Sequence, residues 1–202
     1  MKVSALFSAA LLSLALTSMG YPLTTYNFDA VSPGTYTEAN FNALFPGVSF
    51  NNTGGDAFEV LYVSLLPDFS GNAVLNSPYD TSGNSTIATL SSLVGFVSVT
   101  MGDYNGDADN LYLYAYDAAS NLVGSDLFVN PASSYAGHTL SVSSAISNIA
   151  WVEFYGVGLG NNSVFWDNFS FEGASVIPAP SAILLGTIGA GCLGWLRRRR
   201  TL

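Results

Sequence analysis

Six consecutive residues, Leu111-Tyr112-Leu113-Tyr114-Ala115-Tyr116, alternate without a break between an aliphatic side chain and a tyrosine. An extended strand turns successive side chains to opposite faces, so Leu111, Leu113 and Ala115 share one side and the three tyrosines the other. A helix would scatter both sets around its axis. Trp151-Val152-Glu153-Phe154-Tyr155 alternates likewise, and so does Ser163-Val164-Phe165-Trp166-Asp167-Asn168-Phe169-Ser170-Phe171. Further strands are expected at residues 25–28, 48–51, 58–65, 94–101, 122–129 and 139–142, separated by turn clusters such as Asn52-Thr53-Gly54-Gly55-Asp56 and Ser82-Gly83-Asn84. Nine short strands, no helical run and no internal repeat predict an all-β fold, an antiparallel β-sandwich of the jelly-roll kind.

Both ends of the chain read differently. Lys2 followed by the mostly apolar stretch 3–16 and the small residues around Ser18-Met19-Gly20 has the three parts of an export signal, so residues 1–20 are expected to form a signal helix cleaved after Gly20. Residues 177–196 carry no charge, and about 20 apolar residues are needed to cross a bilayer. A short transmembrane helix over 181–196 is therefore expected. Arg197, Arg198, Arg199 and Arg200 follow it and would stay on the cytoplasmic side, while Gly186, Ala190 and Gly194 give the small-residue spacing of closely packed membrane helices. A plain C-terminal anchor satisfies these features.

The same tail, Pro178-Ala179-Pro180 with its apolar stretch and terminal arginine cluster, resembles the PEP-CTERM sorting signal, with Ala179 in place of the family's glutamate. The resemblance covers about the last 25 residues. It implies recognition by an exosortase-type processing enzyme, membrane contact through the C-terminal helix before processing, and delivery to the envelope, surface or extracellular matrix of a Gram-negative-type bacterium in association with exopolysaccharide. On this reading residues 177–202 are an address and residues 21–176 are the ectodomain.

Removing both ends changes the chemistry of what is left. All five Lys and Arg residues lie at Lys2 and in the arginine cluster, so residues 21–176 hold fourteen acids and a formal charge of −14, against −9 for the whole chain. Such a surface repels nucleic acid and phosphorylated substrates and attracts divalent cations. There is no lysine for a Schiff base, no arginine clamp and no cysteine nucleophile, since Cys192 lies in the tail; His138 stands alone, too little for a serine triad or a zinc site. A non-enzyme is expected. Paired carboxylates could still hydrolyse a glycosidic bond, with Asp103, Asp107 and Glu153 as candidates.

Two acidic groups are candidate calcium ligands. Asp103, Asn105, Asp107 and Asp109 crowd into seven residues bent by Gly106, a sequence that either converges oxygens on a hard cation or forms a solvated turn. Asp167 is the other. Strict alternation places it with Phe165, Phe169 and Phe171 on an inward-facing row, where an unpaired carboxylate costs several kcal/mol. A calcium ion or a set of backbone N–H donors would offset that cost, and Asp29 at the end of the opening strand is expected nearby. The closing strand also resembles that of jelly-roll carbohydrate-binding modules, which often carry such an aspartate beside a structural calcium.

Tyr112, Tyr114, Tyr116, Trp151 and Tyr155 are expected to form an aromatic surface suited to sugar rings, although tyrosines pack across strands for purely structural reasons as well. The functional expectation is a non-catalytic surface or matrix protein associated with exopolysaccharide, with calcium as its cofactor. The alternatives are a secreted polysaccharide hydrolase and a self-assembling envelope component.

Overall fold

The computed structural model describes residues 22–55, 57–63, 69, 71–77, 84–103, 108–129, 137–158 and 164–172. The signal segment 1–20 and the whole sorting tail, with Pro178, Ala179, Pro180 and Arg197 to Arg200, lie outside the described residues, as do Asn105 and Asp107. Among the described residues no helix is long and apolar enough to cross a membrane.

Among the described residues twelve strands and one short helix run in the order β1 (Leu23–Tyr26), β2 (Gly34–Thr37), α1 (Glu38–Asn42), β3 (Val48–Asn52), β4 (Ala57–Tyr62), β5 (Asn72–Ser77), β6 (Thr86–Val94), β7 (Phe96–Asp103), β8 (Asp109–Tyr116), β9 (Leu122–Val129), β10 (His138–Ser143), β11 (Ile149–Gly158) and β12 (Val164–Glu172). They form an antiparallel sandwich. The first sheet runs β10-β7-β12-β5-β4-β2, with β1 also paired to β12, and the second runs β3-β6-β11-β8-β9. From β5 onward the chain alternates between the sheets, except at the β8–β9 hairpin within the second, so that 5-12-7-10 faces 6-11-8-9, the strand order of a jelly roll.

All nine expected strands lie on observed ones, with three departures. The expected strand 94–101 is divided at Gly95, where the chain passes from β6 in one sheet to β7 in the other. Strands β2, β5 and β6 were not expected. The third departure is helix α1. Thr37 caps it by accepting a hydrogen bond from the Asn40 N–H at 3.4 Å, and Glu38 in the first turn complements the positive end of the helix.

This single turn closes one edge of the sandwich. The Asn42 side-chain amide donates to the Phe50 carbonyl at 2.8 Å while its oxygen accepts the Phe50 N–H at 2.6 Å, imitating a neighbouring strand. Glu38 accepts the Asn52 N–H at 2.6 Å. The outer edge of β3 is thereby paired by side chains, which removes a template for strand addition. On the opposite side Asp126 accepts the Ser141 N–H at 2.9 Å and His138 stacks on Phe128 at 3.8 Å, tying β9 of one sheet to β10 of the other.

Between the sheets lies a core rich in aromatic rings. Trp166 is its centre, with Phe28, Phe41, Phe50, Phe58 and Phe154 packed around it at centroid distances of 5.0 to 6.1 Å. A second, smaller cluster of Val63, Phe69, Ala73, Leu75 and Phe165 covers part of the outer face of the first sheet.

Candidate functional site

Strict alternation along β12 would place Phe165, Asp167, Phe169 and Phe171 on one face, and the structure corrects this. Asp167 pairs with Thr100 but Ser170 pairs with Ser98, so one extra residue is inserted, and Asn168 adopts a left-handed φ of 49°. Such a bulge reverses the phase of every later side chain. Val164, Trp166, Phe169 and Phe171 therefore point into the main core, whereas Phe165 belongs to the outer cluster and Asp167 shares its face. The aspartate is buried nonetheless, at 2 % exposure.

Backbone and amide donors surround Asp167. The Asn168 N–H donates to Oδ1 at 2.7 Å, the Asn168 side chain to Oδ2 at 3.1 Å, and the Phe28 N–H reaches it from the segment after β1. Asp29 lies close enough for its charge to act on Asp167, as expected from the pairing of first and last strands. It is itself held by the Asn72 N–H at 3.0 Å, against Gly71 at φ 97°, where a Cβ would fall 1.8 Å from Oδ1. A side chain at residue 71 would displace Asp29.

Burial pushes the Asp167 carboxyl up to about 6; the Asn168 and Phe28 N–H groups oppose this and Asp29 adds to it. A carboxyl whose folded value exceeds its unfolded value near 3.8 binds its proton more tightly when folded. Its contribution to stability is thus full below the unfolded value and is lost as the pH rises through 6. Melting measured from about pH 4 to about pH 7 is expected to show a decline that Asp167→Asn flattens, worth up to about 3 kcal/mol. A variant that keeps the wild-type slope would assign the decline elsewhere.

Asp109 does not join this pair. Asp109 opens β8 on the inner face of the second sheet, opposite Gly158, and the backbone of Asp103 closes β7 in the first sheet opposite Val164. Among the described residues no three His, Cys, Asp or Glu side chains gather as a metal-ligand set.

The five aromatic candidates do come together. Cross-strand register places Trp151 opposite Tyr116, Glu153 opposite Tyr114, and Tyr155 opposite Tyr112, while Val152, Phe154, Leu111, Leu113 and Ala115 between them are buried in the core. Every aromatic of the set therefore lies on the outer face of the second sheet. Tyr116 and Trp151 stack with centroids 4.0 Å apart and planes 12° from parallel; Tyr112 and Tyr155 stack at 5.1 Å and 22°. Tyr114 lies parallel to Tyr112 at 6.1 Å.

Sequence reasoning missed what flanks them. The same register adds Ile87 and Thr89 from β6, Asn51 and Ser49 from β3, and Leu122, Ser125, Leu127 and Val129 from β9. Leu122, Leu127, Val129 and Val157 are exposed at 57, 53, 65 and 48 %. The result is a face five strands wide, aromatic at the centre, aliphatic along one border and polar along the β3 border. The exposed leucines of β9 were a signal in the sequence, but only pairing with β8 shows that they extend this surface.

Glu153 sits in the middle row, between Ile87 and Tyr114, and its Oε1 accepts the Ser85 hydroxyl at 2.7 Å. Burial, followed by the charge and hydrogen bond of Tyr114 and the charges of Glu153 and Tyr112, pushes the Tyr155 hydroxyl up to about 12. Tyr116 is raised for similar reasons, burial first. Both phenols stay neutral at physiological pH. As a hydrolytic pair Glu153 and Asp103 are badly placed, because one projects from the outer face of the second sheet and the other belongs to a strand of the first.

No family model matches the sequence, and no curated protein matches it either. Solved structures of similar shape include the K2 cleaved adhesin domain of Lys-gingipain, at 14 % identity and a TM-score of 0.45, covering 74 % of this chain and 99 % of that one. The CBM22-1 xylan-binding domain from Paenibacillus barcinonensis gives 10 %, 0.43, 77 % and 98 % for the same measures. A family 29 carbohydrate-binding module complexed with mannohexaose gives 15 %, 0.44, 75 % and 91 %.

Proposed function

We propose that this chain is an exported, non-catalytic surface or matrix protein that holds exopolysaccharide on the outer face of its second sheet. The observation that carries the reading is the contiguity of that face. Stacked Tyr116–Trp151 and Tyr112–Tyr155 pairs, bordered by exposed Leu122, Leu127, Val129 and Val157, form an apolar surface that a soluble β-sandwich has no folding reason to leave uncovered. Because the rings stack on one another, a ligand meets their edges and hydroxyls more than their flat faces. Such a surface combines apolar contact with hydrogen bonds to sugar hydroxyls, and Asn51, Ser49 and Ser125 add polar groups beside it.

The route to the surface rests on the two ends of the chain: an export signal over 1–20 and an exosortase-type sorting tail over 177–202. Calcium is taken at Asp29 and Asp167, two carboxylates within reach of each other's charge in an ectodomain without lysine or arginine. An ion there would hold the Asp167 carboxylate ionised, so calcium added after chelation should raise melting most above pH 6 and erase the slope attributed to Asp167. Unchanged melting would remove calcium from the account.

Glycan binding by the protein recovered from secreting cells tests the main reading. The double substitution Trp151→Ala and Tyr155→Ala, one from each stack, is expected to weaken binding by at least about tenfold while leaving the inner-face core in place. Silence of the folded wild type across neutral, acidic and basic polysaccharides would sink the proposal.

A further inference from the structure

We infer that this face selects a cationic glycan, a polymer of amino sugars bearing free ammonium groups, and that Glu153 is the residue that selects it; the inference rests on the glycan-binding reading above. Among the described residues Glu153 is the sole carboxylate within the rows of the face, with the Glu38 side chain bound to Asn51 at the β3 border. Glu153 lies at the centre, half-buried, with Ile87 directly across one flank and Tyr114 across the other, and the Ser85 hydroxyl fixes one of its oxygens at 2.7 Å. Its influence on Tyr116 and Tyr155 shows how close it stands to both aromatic stacks.

A neutral glycan laid over this carboxylate would strip water from it and return no charge, a net cost. An anionic glycan would meet Glu153 and an ectodomain holding fourteen acids without one lysine or arginine. An ammonium group reverses both objections. It pairs with the carboxylate, and the phenol hydroxyls beside it can accept hydrogen bonds from its remaining N–H groups. Tyr112, Tyr114, Tyr116 and Tyr155 supply such hydroxyls on the two strands that carry the stacks. The arrangement therefore distinguishes sugars by one substituent, the free amine against its acetylated form.

The test compares the full chain with a glucosamine hexamer, its fully N-acetylated counterpart and a polyuronate, by titration at low and high salt. The free amine form is expected to bind on the order of tenfold tighter than the acetylated one, with the difference shrinking in salt, and the polyuronate not to bind. Glu153→Gln keeps an acceptor for Ser85 and should bring the two hexamers within about twofold of each other by weakening the amine form alone. Ile87→Lys, directly opposite, neutralises the same carboxylate from the next strand and should do likewise. Equal affinity of the wild type for both hexamers would overturn the inference while leaving glycan binding intact, as would a Glu153→Gln protein that keeps the preference. Binding of poly-lysine but of neither hexamer would assign the face to a basic polypeptide, and binding of no saccharide at all would remove the underlying reading with it.

Discussion

Trp166→Ala is expected to cost about 3–5 kcal/mol, a large share of the roughly 5–15 kcal/mol that ordinarily holds a domain folded. The reason is the origin of the rings around it. Phe28 follows β1, Phe41 comes from α1, Phe50 from β3, Phe58 from β4 and Phe154 from β11, so a single indole joins both sheets and the edge helix. Rings anchored on five separate elements cannot all move into the space it would vacate, and the residual cavity carries most of the penalty. Trp166→Phe, which keeps a ring at the centre, should lose clearly less. Denaturant titration of the two variants checks the claim, and a Trp166→Ala protein within about 1 kcal/mol of wild type would contradict it.

Asn42→Ala is expected to lose about 2–4 kcal/mol although the side chain is small and only half-buried. Its amide satisfies both the N–H and the carbonyl of Phe50, and removing it strands two backbone groups at the margin of the core. The same change uncovers the edge of β3. Concentration-dependent association should therefore appear in the variant and not in the wild type, read by sedimentation velocity. Asn42→Asp separates the two halves of the interaction: it keeps an acceptor for the Phe50 N–H and sets a negative charge against the Phe50 carbonyl, so its loss should fall between wild type and alanine or exceed alanine, never vanish. A fully stable, monomeric Asn42→Ala protein would show that α1 is incidental to the edge.

How much of this was legible depended on whether a strand has one wet face. β8 and β11 do, and their alternation identified both the strands and the side on which Tyr112, Tyr114, Tyr116, Trp151 and Tyr155 would stand. β6 is mixed: Ala88, Leu90 and Val94 reach the core, but Thr86 also points inward and Ile87 outward, so its hydrophobic pattern is blurred. β5 carries buried residues on both faces, Val74 toward the main core and Ala73 and Leu75 toward the outer cluster, and shows no alternation at all. Helix α1 is too short for any period. Only the capping pair Thr37 and Glu38 announced it.

The calcium candidates were legible to a similar degree. Proximity of Asp29 and Asp167 followed from antiparallel pairing of the first and last strands, and the need for N–H donors followed from burial. The face on which Asp167 stands did not follow, because a bulge leaves no mark in a hydrophobic pattern that remains aromatic on both sides of it. Asn168 was the one local hint, since asparagine enters the left-handed region more readily than most residues.

The sequence alone determined the extended character of the chain, the composition of its charge and, in strands without a bulge such as β8 and β11, the side chains that share a face, because these depend on the two-residue period and on counting. Tertiary structure decided everything that compares one strand with another. Register set Tyr155 against Tyr112 and Trp151 against Tyr116, and it placed Glu153 in the centre of the face. It also turned Asp167 away from Phe169. The physical reason is that a strand specifies the directions of its own side chains locally, whereas its neighbours are chosen by long-range burial and backbone pairing, which a single stretch of sequence does not contain.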